Sequence, residues 1–338
     1  MASEEKDTQT GLIYATIFDE TGKGRQINWS EVNDYSSDDG MLWVHLDRRR
    51  QKAIDWINQE VTNEEAASIL LSNDTRPRTF TYQDNLLVSL RGVNLNPGSN
   101  PEDMVSIRMW VGENRIITTR HRHIMAIDDV KERFAAGRGP KNIGDFVVLV
   151  ADRLMQRMGL TMENLDDRID ALETEIIDKE QVSNQKSDYA RNVRSELGYL
   201  RRQTIQLRRH IAPQRDTMHI LMMETTSWFT EKHGSRLREV SDHLTRYVED
   251  LDMLRERGNI VQDELRNSQS DYMNNTLYVL TIISVILLPL GLITGLLGIN
   301  VDGLPGTKNS PNAFWTVTGA MGLIAVFQFF VFKRLRWL

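Results

Sequence analysis

An α+β domain layered α/β/α, then a long stalk helix and two transmembrane helices, is the fold class this sequence predicts. Three observations carry it. Strand-like and helix-like stretches alternate up to about residue 140, and from 143 onward the pattern is almost wholly helical. Near the end, residues 277–297 and 314–332 carry no charge over about 21 and about 19 positions. Each run is close to the roughly 20 residues that cross a hydrocarbon core of ~30 Å at 1.5 Å per residue.

The elements follow in order. In 1–142, GLIYATIFD, MLWVHLD, TFTYQDNLLVSLRGV, VSIRMWV and RIITTRH are rich in β-branched and aromatic residues and predict strands. QKAIDWINQEV, NEEAASILL and IDDVKERFAAG predict helices, and NPGSNPED and GRGPKN predict turns. Residues 143–234 predict helices arranged as an acidic segment, 160–180, followed by a basic one, 187–211. Charge pairing in an antiparallel hairpin is the simplest reading, with binding of cations by the acids as the alternative. His210-Ile-Ala-Pro213 is expected to punctuate that hairpin. Apolar positions 237, 240, 244, 247, 251, 254, 261 and 265 predict a stalk helix over 235–276. With no strong break before the first span, one helix running from about 235 to 297 is roughly 90 Å long. The first span is placed at 277–299, a short outer loop at 300–313, the second span at 314–332 and a basic tail at 333–338.

Composition narrows the function. There is no cysteine, which excludes disulfides and thiolate metal sites, and the net charge of −6 gives no bias towards nucleic acid. The start, MASEEKDTQTG, lacks a basic-then-apolar pattern, so no cleavable signal peptide is expected. Lys333, Arg334 and Arg336 follow the second span, Arg257 and Arg266 precede the first, and the loop between the spans carries Lys308 alone. The positive-inside rule then places both termini in the cytoplasm.

Two helices in one protomer cannot enclose an aqueous path, so transport would require several copies. Steps of three or four along the first span collect Leu277, Leu280, Ser284, Leu288, Gly291, Gly295 and Gly298 on one narrow, uncharged face. Towards the cytoplasm the face continues through Asn274, Ser270, Asn267 and Asp263. Tight helix packing on glycines explains the upper part equally well. The polar, partly acidic stripe below suits a cation route better.

The run Asn274-Asn-Thr-Leu-Tyr-Val-Leu-Thr-Ile-Ile-Ser, with Pro289 and then Gly295-Leu-Leu-Gly298-Ile299-Asn300, resembles the first transmembrane helix of CorA-type metal ion transporters. Their signature there is Gly-Met-Asn, and this chain has Ile299 in place of the Met. KRLRWL resembles that family's basic ending. Ile299, GLPG at 303–306, and RPRTF…LLVSLRGVNLNP…PEDMVSIRMW at 76–110 are similar to the zinc-transporting ZntB branch. The resemblance covers essentially the whole chain.

It implies a funnel-shaped homopentamer in the bacterial inner membrane, with five first spans lining a central pore and five second spans facing lipid. Gly298, Ile299 and Asn300 would form its outer mouth. Leu277, Leu280 and Leu288 fall at the family's apolar constrictions, Asn274 and Asp263 at its cytoplasmic polar positions. Ser284, Gly291 and Gly295 match lining positions. A neutral Asn300 ring accepts hydrogen bonds from the water shell of an ion without stripping it, and nothing in either span offers a tetrahedral ligand set for bare Zn²⁺. This chemistry points to passage of hydrated cations with loose selectivity among Zn²⁺, Ni²⁺, Cd²⁺ and Co²⁺; zinc as the main cargo, and proton-coupled uptake, are what the resemblance to the ZntB branch implies. No cofactor is expected. The magnesium-transporting relatives carry an acid in the outer loop where this chain has Gly-Thr-Lys after Pro305; Asp302 is the nearby acid.

Alternatives stay open. They are a Mg²⁺/Co²⁺ channel, a zinc efflux system of the same fold, and a membrane-tethered coiled-coil signalling protein. A membrane-anchored enzyme is disfavoured, because residues 10–150 hold no phosphate loop, nucleophile elbow or paired metal motif. His121-Arg-His123 lacks a third ligand nearby and reads as a strand end.

Overall fold

The structure is a computed structural model and describes residues 10–74, 76–179, 186–224, 226–298 and 313–334. The chain divides into two compact units, Met1–Gln262 and Asp263–Leu338.

Seven strands form the first unit's sheet: β1 (Leu12–Phe18), β2 (Gly24–Gln26), β3 (Met41–Asp47), β4 (Arg78–Tyr82), β5 (Asn85–Gly92), β6 (Val105–Val111) and β7 (Arg115–Arg120). Their order is β2-β1-β3-β7-β6-β5-β4. β3 and β7 run parallel, and every other neighbouring pair is antiparallel. The period of two in MLWVHLD sets which side chain meets which layer. Leu42, Val44 and Leu46 enter a core with residues of α1 (Trp29–Asn33), α2 (Gln51–Glu60) and α3 (Glu64–Leu71). Trp43, fully buried, turns to the opposite layer. It packs on Phe134 of α4 (Met125–Ala135) and Phe146 of α5 (Ile143–Lys179), with ring centroids 5.8 and 4.9 Å away. Its Nε1 donates to Thr118 Oγ1 at 2.9 Å. Helices thus cover both faces of the sheet, the layering expected.

Three local features differ from the sequence reading. TFTYQDNLLVSLRGV is two strands, β4 and β5, joined by Gln83-Asp84, with Gln83 in the left-handed region at φ 53°. That hairpin turn is also a docking point. Ser227 N donates to Asp84 Oδ1 and Trp228 Nε1 to the Asp84 carbonyl, both at 2.8 Å. Helix α1 escaped notice although its capping box was legible: Asn28 accepts from Ser30 N and Glu31 N while Glu31 accepts from Asn28 N. Finally, Pro213 does not end a helix; α6 runs Lys186–Met223 with Pro213 inside it. The physical reason is docking on both sides of the proline. Ile211 is fully buried, and Gln214 accepts from Arg91 N at 2.6 Å and donates to the Arg91 carbonyl at 3.0 Å. Together these contacts offset the one helical hydrogen bond that proline forfeits.

α5 and α6 lie with the beginning of α7 (Glu231–Gly298) in the first unit. Each shows a stripe at helical spacing: Met158, Met162, Leu165, Ile169 and Leu172 on α5, Leu197, Leu200, Leu207 and Ile211 on α6, and Leu237, Leu244, Leu251 and Leu254 on α7 are all buried. Charge pairing organises these helices, and it also draws in a third. Three acids of α5 converge on α7: Arg257 is held by Asp166 at 2.7 Å, by Glu173 at 2.6 Å and by Asp170. Glu173 first, and then Asp170, push the guanidinium's pKa up through their hydrogen bonds and charges, and the three acids are engaged by one arginine. Arg208 of α6 likewise pairs with Asp252 of α7, at 2.6 and 3.0 Å. Between α5 and α6, Arg168 of the acidic helix donates to Glu196 of the basic one at 3.0 Å.

Fully buried His45 yields a pH prediction. Burial first, then the charges of Arg120, Lys131 and His123, hold its pKa well below the ordinary 6.5. The depressed folded value means the unfolded chain takes up the proton first. Stability is therefore complete above pH ~6.5 and falls on acidification, at about 1.4 kcal/mol per pH unit for one such group. Chemical unfolding between pH 7 and 5 should show this slope, and His45→Gln should lower it by one proton. An unchanged slope would exclude His45 as its source.

Candidate functional site

The second unit holds α7 from Asp263 onward and α8 (Ala313–Arg334). Both helices are long and apolar enough to cross a membrane. Within the unit, burial separates two faces of α7. Ile282, Ile286, Pro289, Leu290 and Ile293 are partly shielded. On α8 the shielded positions are Val317, Met321, Ile324, Ala325, Gln328, Val331 and Phe332, a stripe at matching helical spacing. These are the faces that meet.

The predicted lining residues lie elsewhere. Asp263, Asn274, Leu277, Leu280, Ser284, Leu288, Gly291, Gly295 and Gly298 are all exposed; Leu288 is 72% exposed. At 100° per residue the mean direction of this set points roughly 170° away from the face that α8 covers. A Cβ built on Gly291, Gly295 or Gly298 meets nothing within 4 Å. Packing against α8 therefore does not account for these glycines. Gly298 is the last residue of α7; Ile299, Asn300 and Asp302 lie outside the described residues.

The polar side chains on this helix are handled locally. Ser284 Oγ donates to the Leu280 carbonyl at 2.8 Å, and Thr281 and Thr294 do the same towards Leu277 and Leu290 at 2.7 and 3.1 Å. With its proton spent on the backbone, Ser284 presents oxygen lone pairs, an acceptor for water or a cation's hydration shell. Asp263 is not a bare acid: Arg266 NH1, one turn on, lies 3.2 Å away, both side chains being mostly exposed. Such an exposed pair contributes ~0.5 kcal/mol and leaves most of the carboxylate's field in solvent.

A contact the sequence reading missed joins the spans. Pro289 has no N–H, so the Val285 carbonyl four residues before it loses its helical donor. Gln328 Nε2 of α8 donates to that carbonyl at 3.3 Å. The signal was present in the sequence, since a proline within an apolar span leaves a carbonyl to be satisfied. Gln328→Leu should remove this donor and destabilise the pair of spans by about 1–2 kcal/mol, measurable by detergent-driven unfolding. Unchanged stability would show that the carbonyl needs no partner.

Among the described residues, no group of three His, Asp or Glu side chains is arranged to hold a metal ion. His123 is taken up by Asp128, 2.5 Å from its Nε2, and by Asn96 Oδ1, 3.0 Å from its Nδ1. On α5, Asp166, Asp170 and Glu173 are engaged by Arg257, as described above.

A family model described as CorA-like Mg²⁺ transporter protein matches residues 38–334. The chain belongs to the CorA-like family of divalent cation transporters. It is 37% identical over 342 residues to the divalent cation transporter CmaX of Pseudomonas aeruginosa, covering 100% of both chains. It is 32% identical over 269 residues to the zinc transport protein ZntB of Yersinia enterocolitica, covering 79% of each. The structure of full-length CmaX superposes with a TM-score of 0.81 at 37% identity, covering 97% of this chain and 98% of that one. CorA-like membership makes the two apolar helices membrane spans of a transporter rather than core helices. The CmaX sequence is more similar than the ZntB sequence, and its name specifies no ion.

Proposed function

We propose that this CorA-like chain assembles as a homopentamer in the cytoplasmic membrane, both termini inside, and takes up divalent cations through a central path lined by α7. Zn²⁺ is the principal cargo in this reading, with Ni²⁺, Cd²⁺ and Co²⁺ also passing. The observation that carries it is the bare, uncharged face from Leu277 to Gly298, turned away from α8. Such a face is built for copies of itself around water, with α8 outermost towards lipid. The number five comes from the resemblance to CorA-type transporters, and zinc from the similarity to ZntB.

The path's chemistry follows from its residues. Asp263 raises local cation concentration at the inner end. Asn274 and Ser284 offer neutral oxygens, which solvate an ion's water shell without competing for the ion. Leu277, Leu280 and Leu288 form apolar rings, narrow enough to dewet when the helices approach and to refill when they separate. At the outer end an Asn300 ring selects hydrated divalent ions by accepting hydrogen bonds from their water. Neither span supplies an ionisable carboxylate, so proton coupling falls to groups at the ends of the path.

The test is Zn²⁺ flux into proteoliposomes with and without an imposed pH gradient, with excess Mg²⁺ as competitor and Asn300→Ala as the control. Zn²⁺ entry that requires Asn300, increases with the gradient and resists Mg²⁺ supports the reading. Entry abolished by Mg²⁺ favours the magnesium reading that the family description suggests. Equal flux in wild type and Asn300→Ala would remove the mouth from the mechanism.

A further inference from the structure

In the first unit a cavity of about 370 Å³ opens at the sheet edge where β3, β5 and β7 end and β6 begins, closed on one side by α6. The carboxyl ends of neighbouring strands are where open α/β sheets usually take ligands. Arg48, Arg91, Arg122, His121 and His210 line it, with Glu102 and Asp103 at one side.

The arginines there are held in an unusual state. Arg48 is only 8% exposed; its NH1 donates to the Leu71 carbonyl and Asn73 Oδ1 at 2.9 and 3.1 Å, while its Nε has no partner among the described residues. Arg108, fully buried beside it, donates to the Asp74 carbonyl at 2.9 Å, and its Nε and NH1 have no partner among the described residues. Burial and the charges of Arg48, Arg78 and Arg91 bring the Arg108 pKa down to about 10. His210 is brought down to about 4 by burial and by Arg91 and Arg209. The nearby acids redress this only in part: Asp47 attracts Arg48 and Asp74 attracts Arg91 and Arg108, but each is itself bound by another arginine, Asp47 by Arg49 at 2.6 Å and Asp74 by Arg78 at 2.5 Å, and Glu102 accepts from Gln203 at 2.9 Å. Burying guanidinium groups with only this shared counter-charge is unfavourable, and an anion in the cavity would offset it.

We propose that this cavity binds a small phosphate-bearing molecule, its phosphate held by Arg48, Arg91 and Arg122. Planar guanidinium forks match phosphate oxygens two at a time. Of the charged residues that line the cavity, Arg48, Arg91 and Arg122 stand against Glu102 and Asp103, a surplus of one positive charge, and buried Arg108 beside them adds to the positive field that a phosphate group would meet. The volume lies in the range of small-molecule pockets, larger than a halide needs, and Ser106, Asn73 and Gln206 remain to bind the rest of the molecule. The cationic lining rejects the transported metal ions, so the site is separate from the path.

The experiment uses the purified full-length protein in detergent, free of divalent ions, at constant ionic strength. Inorganic phosphate, pyrophosphate and ADP are titrated by calorimetry, with sodium chloride as the reference. At least one phosphate-bearing probe is expected to bind with a Kd below about 1 mM, weakening about tenfold or more in Arg122→Ala. Arg122 is exposed, so this variant folds, and Arg48→Lys provides the buried counterpart. Tighter binding of ADP than of phosphate assigns an organic ester, and equal binding assigns phosphate itself. Absence of binding by all three probes overturns the proposal. So does an equal response to chloride, or affinity unchanged in both variants.

Discussion

Gly291→Leu is expected to abolish cation flux while leaving the chain folded. A side chain built at Gly291 meets nothing within 4 Å, and Leu is a better helix former than Gly by about 1 kcal/mol. The single chain therefore has no reason to object. Around a path lined by copies of α7, the same change adds one isobutyl group per copy at one level, which occludes a route wide enough for a hydrated ion. Flux in proteoliposomes should fall about 100-fold or more, with oligomer size by gel filtration unchanged. The matched control is Gly319→Leu on α8, equally open in the chain, which should transport normally. Flux within about twofold of wild type in Gly291→Leu would take this face out of the path.

Trp43→Ala should be the most damaging single truncation in the first unit, at about 4 kcal/mol. The indole joins β3 to two helices through Phe134 and Phe146, and Tyr14 packs on it with centroids 5.1 Å apart. Its removal leaves a large void and deprives Thr118 Oγ1 of a donor. Trp43→Phe keeps most of the packing and should lose only about 1 kcal/mol. Denaturant unfolding of the full chain, followed by near-UV circular dichroism, separates the two. A loss below about 1 kcal/mol for the alanine variant would mean that the neighbouring rings close the gap.

Much of the architecture was legible because it is written in periodicity. The alternation in MLWVHLD, the stripe from 237 to 265 and the two uncharged runs each state which face is apolar and how long the element is. What failed were features decided by tertiary contact. Pro213 looked like a helix end because proline removes a hydrogen bond, but Gln214 and Ile211 hold α6 in place across it. The β4–β5 turn was hidden because Gln83 and Asp84 carry no glycine to announce a left-handed residue. The acids of α5 pointed to a basic neighbour, and only the fold shows that Arg257 of α7 engages three of them.

For the candidate site, helical steps alone collected one face, and the structure leaves that face bare. Its outermost members, Ile299, Asn300 and Asp302, lie outside the described residues. Two features were invisible to any local reading. The arginine cavity draws on residues far apart in sequence, on or just beyond the ends of different strands. The link from Gln328 to Val285 required knowing that α8 sits against Pro289.

That link bears on how the protein enters its membrane. An α-helix normally arrives in hydrocarbon with its backbone self-sufficient, which is what permits spans to insert one at a time. The first span here does not, because the rung at Val285 closes only with an amide borrowed from the second. The smallest unit with a complete backbone inventory is thus the helical hairpin. Biogenesis should favour the two segments leaving the insertion machinery as a pair, the later-made one finishing the earlier.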